Sequence, residues 1–370
     1  MCKRIFKEQT SDEGEVPFYK IGTFGGVPDA FISRELFDEY KVKYPYPNKG
    51  DILISASGSI GRTVEFTGKN EYFQDSNIVW FKHGNEIDNS FLKVLYSVIE
   101  WSCEGSTIKR LYNDNFLKTE FMLPQIDEQK KIGTYFSTLD HLITLHQRKC
   151  DETKRLKKYM LQKMFPQNGE KVPEIRFSGF TDDWEQRKLG EVCEIKDSAR
   201  IPNSEWSESG VPYIRASDVT NENTDGVLFI SQERYEFYKN RTGAPTKDDV
   251  LFNGGGEIGK SLLITDKKPI YVQGGAVLYA RTSKSRELVG QYLKTYFETT
   301  NAKSYVDTAS AGGTMRHFTL KPSQMMRILM PSVEEQEKIG EYFANFDHLI
   351  TLHQQKYFYH IYTLKQTKKL

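Results

Sequence analysis

The chain has 370 residues, of which 38% are hydrophobic and 27% charged, and its formal net charge is +1. This length is enough for two or three domains, and the near-zero charge excludes a nucleic-acid binder that works through bulk positive charge alone. No run approaches the ~18 consecutive apolar residues of a membrane span, and the first residues lack the apolar centre of a signal peptide. The 4 cysteines form no CxxC pair, so we expect a globular cytoplasmic protein without a disulfide framework or zinc site.

The first module, residues 1–123, is predicted to be a mixed α+β domain. Short runs of Ile, Val, Phe and Tyr broken by Gly, Asn and Asp are typical of strands and turns. Examples are VPFYKI at residues 16–21 and KGDILISASGSIGRTVEF at residues 49–66. A helix is expected at residues 91–100.

A central helix and linker are predicted at residues 124–167. Apolar residues recur there at alternating steps of four and three, which is the seam of a coiled coil. Pro124 lies near the start, and Asp127 and Glu128 suit the positive end of a helix dipole. A helix from Ile126 to about Phe165 would be roughly 60 Å long at ~1.5 Å per residue, which suits a spacer. The seam positions are Ile132, Phe136, Leu139, Ile143 and His146.

A second module of the same kind is predicted at residues 168–330. KDDVLFNGGGEIGKSLLI at residues 247–264 aligns with residues 49–66, and VPYIRA at residues 211–216 echoes VPFYKI. A helix is expected at residues 289–299. The two modules are therefore diverged copies.

A second helical segment, residues 331–370, completes a tandem duplication. Residues 124–149 return 207 residues later as residues 331–356, with 17 of 26 positions identical. Helices this similar beside diverged modules suggest that the helices face each other or a common partner. The alternative is that each helix packs on its own module. The second seam consists of Ile339, Phe343, Phe346, Ile350 and His353, and we expect both histidines to have an interhelical or core role.

The repeat is incomplete at both ends. The counterpart of Trp184 would fall before residue 1, so we expect the first module to be shortened at its N-terminus. The similarity also lapses after Lys356, so we expect the second helix to end early.

A glycine-rich stretch in the second module imitates a nucleotide site. Residues 254–261, GGGEIGKS, match the phosphate-binding pattern GxxxxGK[ST]. Such a loop should open a helix, whereas SLLITDKKPIYV resembles a strand, and the aligned copy has Arg62 in place of the lysine. We interpret the stretch as a turn between strands, and a P-loop nucleotide hydrolase stays the enzymatic alternative.

Two further patterns are incomplete. FNGGG at residues 252–256 resembles the FxGxG loop of S-adenosylmethionine-dependent methyltransferases, but the chain has no (N/D)PP(Y/F/W) motif. Pro28 and Asp29, with residues 39–41, imitate the PD…ExK set of metal-dependent nucleases, but the second module has no equivalent. We therefore predict no catalytic residues and no metal site in this chain.

The whole chain closely resembles the specificity subunit of type I restriction-modification systems. The resemblance rests on two variable modules, each followed by a near-identical helix. Its most specific elements are the helix openings LPQIDEQKKIG and MPSVEEQEKIG, the runs LDHLITLHQ and FDHLITLHQ, the linker MLQKMFPQNGEKVPEIRFSGF and the module opening DDWEQRKLGEV.

The resemblance implies an α+β protein with two target-recognition domains separated by two long helices that form an antiparallel coiled-coil spacer. Each domain would read one half of a split, asymmetric site in double-stranded DNA, and helix length would set the distance between the halves. The helices would seat two methyltransferase subunits, which use S-adenosylmethionine to methylate an adenine. Restriction subunits would cleave unmodified DNA with ATP and Mg²⁺. The chain itself would hold no cofactor, and a coiled-coil scaffold without DNA specificity is the remaining alternative.

DNA contacts are expected in turns that the duplication aligns, including GSTIKR at residues 105–110 and GGTMRH at residues 312–317. Base readout needs Arg, Lys, Asn or Gln at groove edges, and phosphate contacts need basic or hydroxyl groups. A solvated surface side chain is the alternative for each residue. The candidates are Arg62, Lys260, Lys109, Arg110, Arg316, His317, Gln74 and Gln273, with Tyr44, Arg215 and Arg241 as further ones.

Overall fold

The computed structural model describes residues 1–104, 109–167, 169–312 and 316–367. Two compact units divide the chain: unit 1 comprises residues 1–146 and those from 356 onward, and unit 2 comprises residues 147–355. Each unit contains one module and a part of each long helix, which confirms the expected α+β class with two long helices. The predicted boundary residues 168 and 370, and parts of the aligned GSTIKR and GGTMRH, lie outside the described residues.

Unit 1 forms two small sheets. Its elements are β1 Val16–Tyr19, β2 Phe31–Ile32, α1 Arg34–Lys43, β3 Ile52–Ser55, β4 Thr63–Glu65, β5 Tyr72–Phe73, β6 Ile78–Trp80, α2 Asn89–Val98, α3 Asn113–Leu117 and the first part of α4 Ile126–Lys163. Strand β1 pairs antiparallel with β2 and parallel with β5. Strand β3 lies between β4 and β6 and pairs antiparallel with both.

Local chemistry explains where the helices of unit 1 begin. The Ser33 side chain accepts a hydrogen bond from the Leu36 N–H at the start of α1. The Asp88 carboxylate accepts hydrogen bonds from the Ser90 and Phe91 N–H groups at the start of α2. Such caps satisfy N–H groups that have no partner within the helix. Helix α2 covers most of the predicted helix at residues 91–100.

Unit 2 repeats this arrangement with additional elements. They are β7 Glu185–Lys188, α5 Leu189–Val192, β8 Ile195–Asp197, β9 Trp206–Ser207, β10 Val211–Ile214, α6 Ala216–Thr220, β11 Phe229–Ile230, α7 Gln232–Thr242, β12 Val250–Asn253, β13 Ser261–Leu263, β14 Tyr271–Val272, β15 Val277–Ala280, α8 Gly290–Phe297, α9 Thr300–Ala309, α10 Leu320–Met325, β16 Arg327–Met330 and most of α11 Val333–Thr367. Helix α8 lies within the helix predicted at residues 289–299.

The strand pairing of the two modules agrees in detail. Strand β10 pairs antiparallel with β11 and parallel with β14, as β1 does with β2 and β5. Strand β12 lies between β13 and β15, as β3 lies between β4 and β6. Unit 2 adds β8 beside β15, β9 beside β11, and the pair of β7 with β16. The predicted duplication is therefore a duplication of topology.

The long helices are close to their predicted extents, with one correction. Helix α4 ends two residues before the predicted Phe165. Helix α11 does not end early but continues to Thr367. The segment after Lys356 contains neither Pro nor Gly, and Ile361 and Leu364 keep a partly buried apolar stripe at helical spacing. No helix within the four described ranges is both long and apolar enough to cross a membrane.

The predicted seam is buried to different degrees. The buried positions are Phe136, Leu139, His146, Ile339, Phe343 and Phe346, and the half-buried ones are Ile132, Ile143, Ile350 and His353. In unit 1 the rings of His146 on α4 and His360 on α11 stack with centroids 5.5 Å apart. In unit 2 the helices meet where Lys157 contacts Asp347. In unit 1 Asp140 and Leu364 also line one groove, and in unit 2 the ring of Phe165, just after α4, lies 6.0 Å from the ring of Phe343. Within each unit, position numbers therefore rise along one helix as they fall along the other, so the helices run antiparallel there.

Each helix also packs on its own module through a buried glutamine. The Gln129 side chain accepts a hydrogen bond from the Asp88 N–H at 2.9 Å, and Gln336 accepts one from the Val289 N–H at 3.0 Å. Each amide also donates to two backbone carbonyls. Each helix therefore packs on its own module and also contacts the other helix, so packing on the module is not an alternative to helix pairing. The glutamine contact accounts for part of the helix identity.

Candidate nucleic-acid interface

The two glycine-rich stretches form the same hairpin turn. In unit 1 the Ser55 N–H donates to the Arg62 carbonyl at 2.9 Å, and in unit 2 the Asn253 N–H donates to the Lys260 carbonyl at 2.8 Å. Gly259 has φ of 79°, a left-handed conformation that favours glycine. The turn leads into strand β13 rather than a helix, so its geometry does not fit a nucleotide-binding P-loop. The Arg62 and Lys260 side chains are exposed.

Each turn meets a basic stretch that is distant in sequence. In unit 1 Arg110 forms a β-bridge with Ser57 in the turn, and the Leu111 N–H donates to the Ala56 carbonyl at 2.8 Å. In unit 2 the Phe318 N–H donates to the Gly254 carbonyl at 2.8 Å, which places His317 against the turn. The structure therefore brings Lys109 and Arg110 to the turn that carries Arg62, and Arg316 and His317 to the turn that carries Lys260.

Two glycines allow this close approach in unit 2. A methyl group on Gly254 would lie 2.7 Å from the Phe318 carbonyl oxygen, a distance that no side chain tolerates. A methyl group on Gly255 would lie 3.4 Å from the His317 ring. The glycines that resemble a phosphate cradle in the sequence thus serve to seat the basic stretch on the turn.

A cleft of about 310 Å³ opens beside the unit 2 turn. Its walls include Lys260, Lys303 and Arg316, together with the acidic Glu257 and Asp307. The Arg316 guanidinium lies 2.8 Å from Asp307, and both side chains are largely exposed. Exposed ion pairs of this kind contribute little to stability, so Arg316 can exchange Asp307 for another anion at small cost.

A second groove of about 480 Å³ adjoins this cleft and was missed in the sequence. Its basic walls are Lys154, Lys157, Lys158, Lys260 and Lys303, and Glu298 also lines it. Burial, and then the neighbouring charges of Lys260, Lys157 and Lys158, lower the pKa of Lys303 despite the opposing effect of Glu298. Burial is the largest cause, and the three lysines add to it. The run KRLKK at residues 154–158 was the available signal.

One lysine of this groove is already neutralised. The Lys157 ammonium contacts both Glu298 and Asp347, and its side chain is only 10% exposed. Lys154, Lys158 and Lys303 are exposed on the groove walls. These three, with Lys260, form a basic track from the turn to helix α4.

Other predicted residues have defined local roles. The Gln74 Oε1 accepts a hydrogen bond from the Ile21 N–H at 2.9 Å, and the Arg215 Nε lies 3.1 Å from Asp218. Tyr44 directly follows α1, and the Lys3 ammonium lies over its ring, 5.1 Å from the ring centre. Gln273 is half-buried, with its N–H donating to the Ile214 carbonyl. Arg241 is exposed near the end of α7.

The acids of the nuclease-like pattern pair with lysines. Asp29 lies 2.9 Å from Lys20, and Glu39 lies 3.0 Å from Lys43. Throughout the part of the chain that the structure describes, no three His, Cys, Asp or Glu residues come together as a metal-binding group.

Comparison with known proteins gives concordant results. The family described as type I restriction modification DNA specificity domain matches residues 1–155 and 181–357. The specificity subunit of type I restriction enzyme MjaVIII from Methanocaldococcus jannaschii is 25% identical over 321 residues, which is 82% of this chain and 71% of that protein. A Haemophilus influenzae protein, provisionally named a type I restriction enzyme specificity subunit, is 56% identical over 149 residues, and the match spans 39% of each chain.

The fold has a solved counterpart. The S subunit of a type I restriction-modification system from M. genitalium has a TM-score of 0.62 with this chain at 16% identity. The superposition covers 100% of this chain and 91% of that one. At this identity the likeness establishes the fold alone.

Proposed function

The chain belongs to the type I restriction-modification DNA specificity family, and from this premise we propose that it selects the DNA target of a type I restriction-modification complex. Each module reads one half of a bipartite, asymmetric site in double-stranded DNA. Two methyltransferase subunits bind S-adenosylmethionine and methylate an adenine, and restriction subunits use ATP and Mg²⁺ to cleave unmodified sites. The chain determines which DNA sequence the complex binds and catalyses no step itself. The complex works in the cytoplasm.

One observation carries the proposal: both units seat a basic stretch on a glycine-rich hairpin turn through the same backbone hydrogen bonds. A narrow turn with exposed basic side chains suits approach to a DNA groove, where Arg and Lys recognise guanine and phosphates. The side chains differ, with Arg62 and Arg110 in unit 1 against Lys260 and His317 in unit 2. Equal scaffolds with unequal side chains support two half-sites of different sequence.

The basic track of unit 2 supports the same proposal. Lys154, Lys158, Lys260 and Lys303 line one continuous groove, and lysines so arranged neutralise phosphates without reading bases. Because the net charge is only +1, such local patches and the partner subunits together provide the electrostatic affinity. The length of the helices then sets the distance between the two half-sites, and the bases between them are not recognised.

Mapping adenine methylation in cells that express the chain with its cognate methyltransferase subunit tests the proposal. The intact chain should give a split motif that is absent without it. Replacing Arg62 and Arg110 by alanine should relax or abolish one half of the motif, and replacing Lys260 and Arg316 should affect the other half. Lys239→Ala, an exposed change on α7, is the matched control and should leave the motif intact.

Two results would contradict the proposal. A motif unchanged by both double substitutions would remove the hairpin turns from recognition. Methylation that does not depend on the chain would favour the scaffold without DNA specificity.

A further inference from the structure

One face of helix α9 lines the cleft beside the unit 2 hairpin turn. Lys303 and Asp307 on α9, and Ser310 just after it, lie at helical spacing, and all three border this cleft. The cleft shares Lys260 and Lys303 with the basic groove next to it. An acid, Asp307, therefore lies on the surface that carries the proposed phosphate contacts.

Helix packing fixes this face against the turn. Val306 is buried, and a methyl group on Gly259 of the turn would lie 3.1 Å from the Val306 Cγ1 atom. The start of α9 is capped by the Thr299 side chain, which accepts a hydrogen bond from the Ala302 N–H at 3.3 Å. Asp307 directly follows Val306, so its backbone is held beside the turn by a packed helix rather than by a loop.

Asp307 forms an ion pair with Arg316 at the rim of the cleft. The Arg316 Nη1 donates to the Asp307 Oδ1 at 2.8 Å, and the two side chains are 76% exposed for Asp307 and 41% for Arg316. Among the described residues, this is the only hydrogen bond that either side chain makes. The guanidinium has further N–H donors and the carboxylate has a second oxygen. The pair therefore presents a donor and an acceptor side by side to a ligand.

A carboxylate at this place is unfavourable for phosphate binding alone. Lys260, Lys303 and Arg316 attract phosphates, whereas Asp307 repels them and neutralises Arg316. A surface that supplied only electrostatic affinity would bind DNA more tightly without the acid. An acid is useful on such a surface when it accepts a hydrogen bond from a base amino group, because base edges carry donors and phosphates do not. Asp307 therefore points to sequence readout.

The edge of a G·C base pair matches the donor and the acceptor of this ion pair. In the major groove guanine presents the acceptors N7 and O6, and cytosine presents its N4 amino donor. Guanine O6 and cytosine N4 are neighbours, because they share a hydrogen bond of the base pair. An A·T pair matches less well, since adenine N7 is an acceptor next to the N6 amino group and would repel the carboxylate. Thymine also offers the guanidinium only O4.

We propose that Asp307 and Arg316 together recognise one G·C base pair in the half-site that unit 2 reads. Arg316 donates to O6 and N7 of the guanine, and Asp307 accepts a hydrogen bond from the N4 amino group of the cytosine. Lys260 and Lys303 contact the neighbouring phosphates. This assignment rests on the proposed function and adds Asp307 to it as a specificity-determining residue.

Mapping of adenine methylation by the assembled methyltransferase complex tests the assignment. Asp307→Ala and Arg316→Ala should each relax the same single position of one half-site from G·C to any base pair. The other positions and the other half-site should stay as they are with the parent chain, which also shows that the variants fold. Glu233→Ala removes an exposed acid in the first turn of α7. It is the matched control and should change no position.

Removal of one amino group from the DNA isolates the contact of Asp307. The probe is a target duplex in which 2-pyrimidinone, a cytosine analogue without the 4-amino group, replaces the cytosine at the relaxed position. The parent complex should bind this duplex about tenfold more weakly than the unmodified duplex. The Asp307→Ala complex should bind both duplexes with equal affinity. Any effect of the weaker base pair itself is common to the two complexes, so their difference reports the carboxylate.

Three results would overturn the proposal. These are a relaxed position that is an A·T pair in the parent motif, an Asp307→Ala motif identical to the parent motif, and an equal loss of affinity for the 2-pyrimidinone duplex in both complexes. An unchanged motif with tighter binding of every duplex would show that Asp307 only weakens phosphate binding. In each case the split motif would still depend on the chain, so failure of this assignment is distinguishable from failure of the proposed target recognition.

Discussion

The Lys157 ammonium lies 2.6 Å from a carboxylate oxygen of Asp347, and this ion pair joins the two long helices within unit 2. Lys294 reaches the other oxygen at 2.8 Å. The repeat aligns Lys157 with Leu364 and Asp347 with Asp140, which both line a groove in unit 1. In unit 1 a leucine therefore takes the place of the lysine that forms this ion pair in unit 2.

Replacing Asp347 by asparagine should destabilise the protein by about 3 kcal/mol, because it leaves Lys157 and Lys294 without their shared carboxylate in a largely buried site. Urea unfolding at neutral pH measures the loss. Asp140→Asn, at the exposed equivalent position, is the control and should change the free energy of unfolding by less than ~0.5 kcal/mol. Equal effects at the two positions would show that the ion pair does not stabilise unit 2.

The same carboxylate should make stability depend on acid pH. Burial alone would raise the pKa of Asp347, but the charges and hydrogen bonds of Lys294 and Lys157 outweigh burial and hold the pKa below its usual range. Its contribution is therefore fully present above the unfolded pKa of ~3.9 and is lost as pH falls through the folded pKa. Urea unfolding at stepped pH from about 6 downward should show a steeper loss for the parent chain than for Asp347→Asn. Parallel curves would contradict the pKa direction.

Gly133→Ala should destabilise unit 1, although alanine normally favours a helix by about 0.5–1 kcal/mol over glycine. The added methyl would lie 2.8 Å from the Phe91 backbone nitrogen and 2.7 Å from the Ser90 Cβ, where α4 crosses α2. Overpacking of this kind costs about 1–3 kcal/mol. Thermal and urea unfolding measure it. Gly340→Ala, whose methyl would meet mainly the flexible Gln291 side chain at 3.0 Å, should lose less, and a gain at Gly133 would refute the close contact.

Lys158→Ala and Lys303→Ala should each reduce the salt dependence of DNA binding by the assembled methyltransferase complex. Each lost phosphate contact lowers the slope of log K against log salt by about 1 and weakens all sequences alike. Fluorescence titrations with target and non-target duplexes at several salt concentrations measure both effects. Arg148→Ala, at an exposed ion pair on α4, should leave the slope unchanged. A loss confined to the target duplex would assign these lysines to base readout instead.

The structure was predictable from the sequence where the same pattern occurs in both copies of the repeat. The two long helices and the hairpin nature of the glycine-rich stretches were predictable because periodicity is local and each copy tests the other. The basic track was not, because Lys303 and Lys158 are 145 residues apart and meet only through tertiary packing. The hydrogen bond from the Ile21 N–H to the Gln74 side chain was likewise not predictable, because residue type does not indicate where a side chain points. The length of α11 was not predictable from the repeat, because the helix continues to Thr367 although identity between the copies is lost after Lys356.

The side chain of the buried glutamine at the start of each long helix bonds only to backbone atoms: two lie in the module, and the third is the carbonyl of the proline just before the helix. Every module has backbone amides and carbonyls whatever its side chains are. The attachment of the glutamine to the module therefore does not depend on the sequence of the module. The side chains of the hairpin turns, or a whole module, can therefore be replaced in evolution without changing the contact between the module and its helix. In this architecture the side chains that contact the ligand can therefore change while the attachment of the module to its helix stays the same.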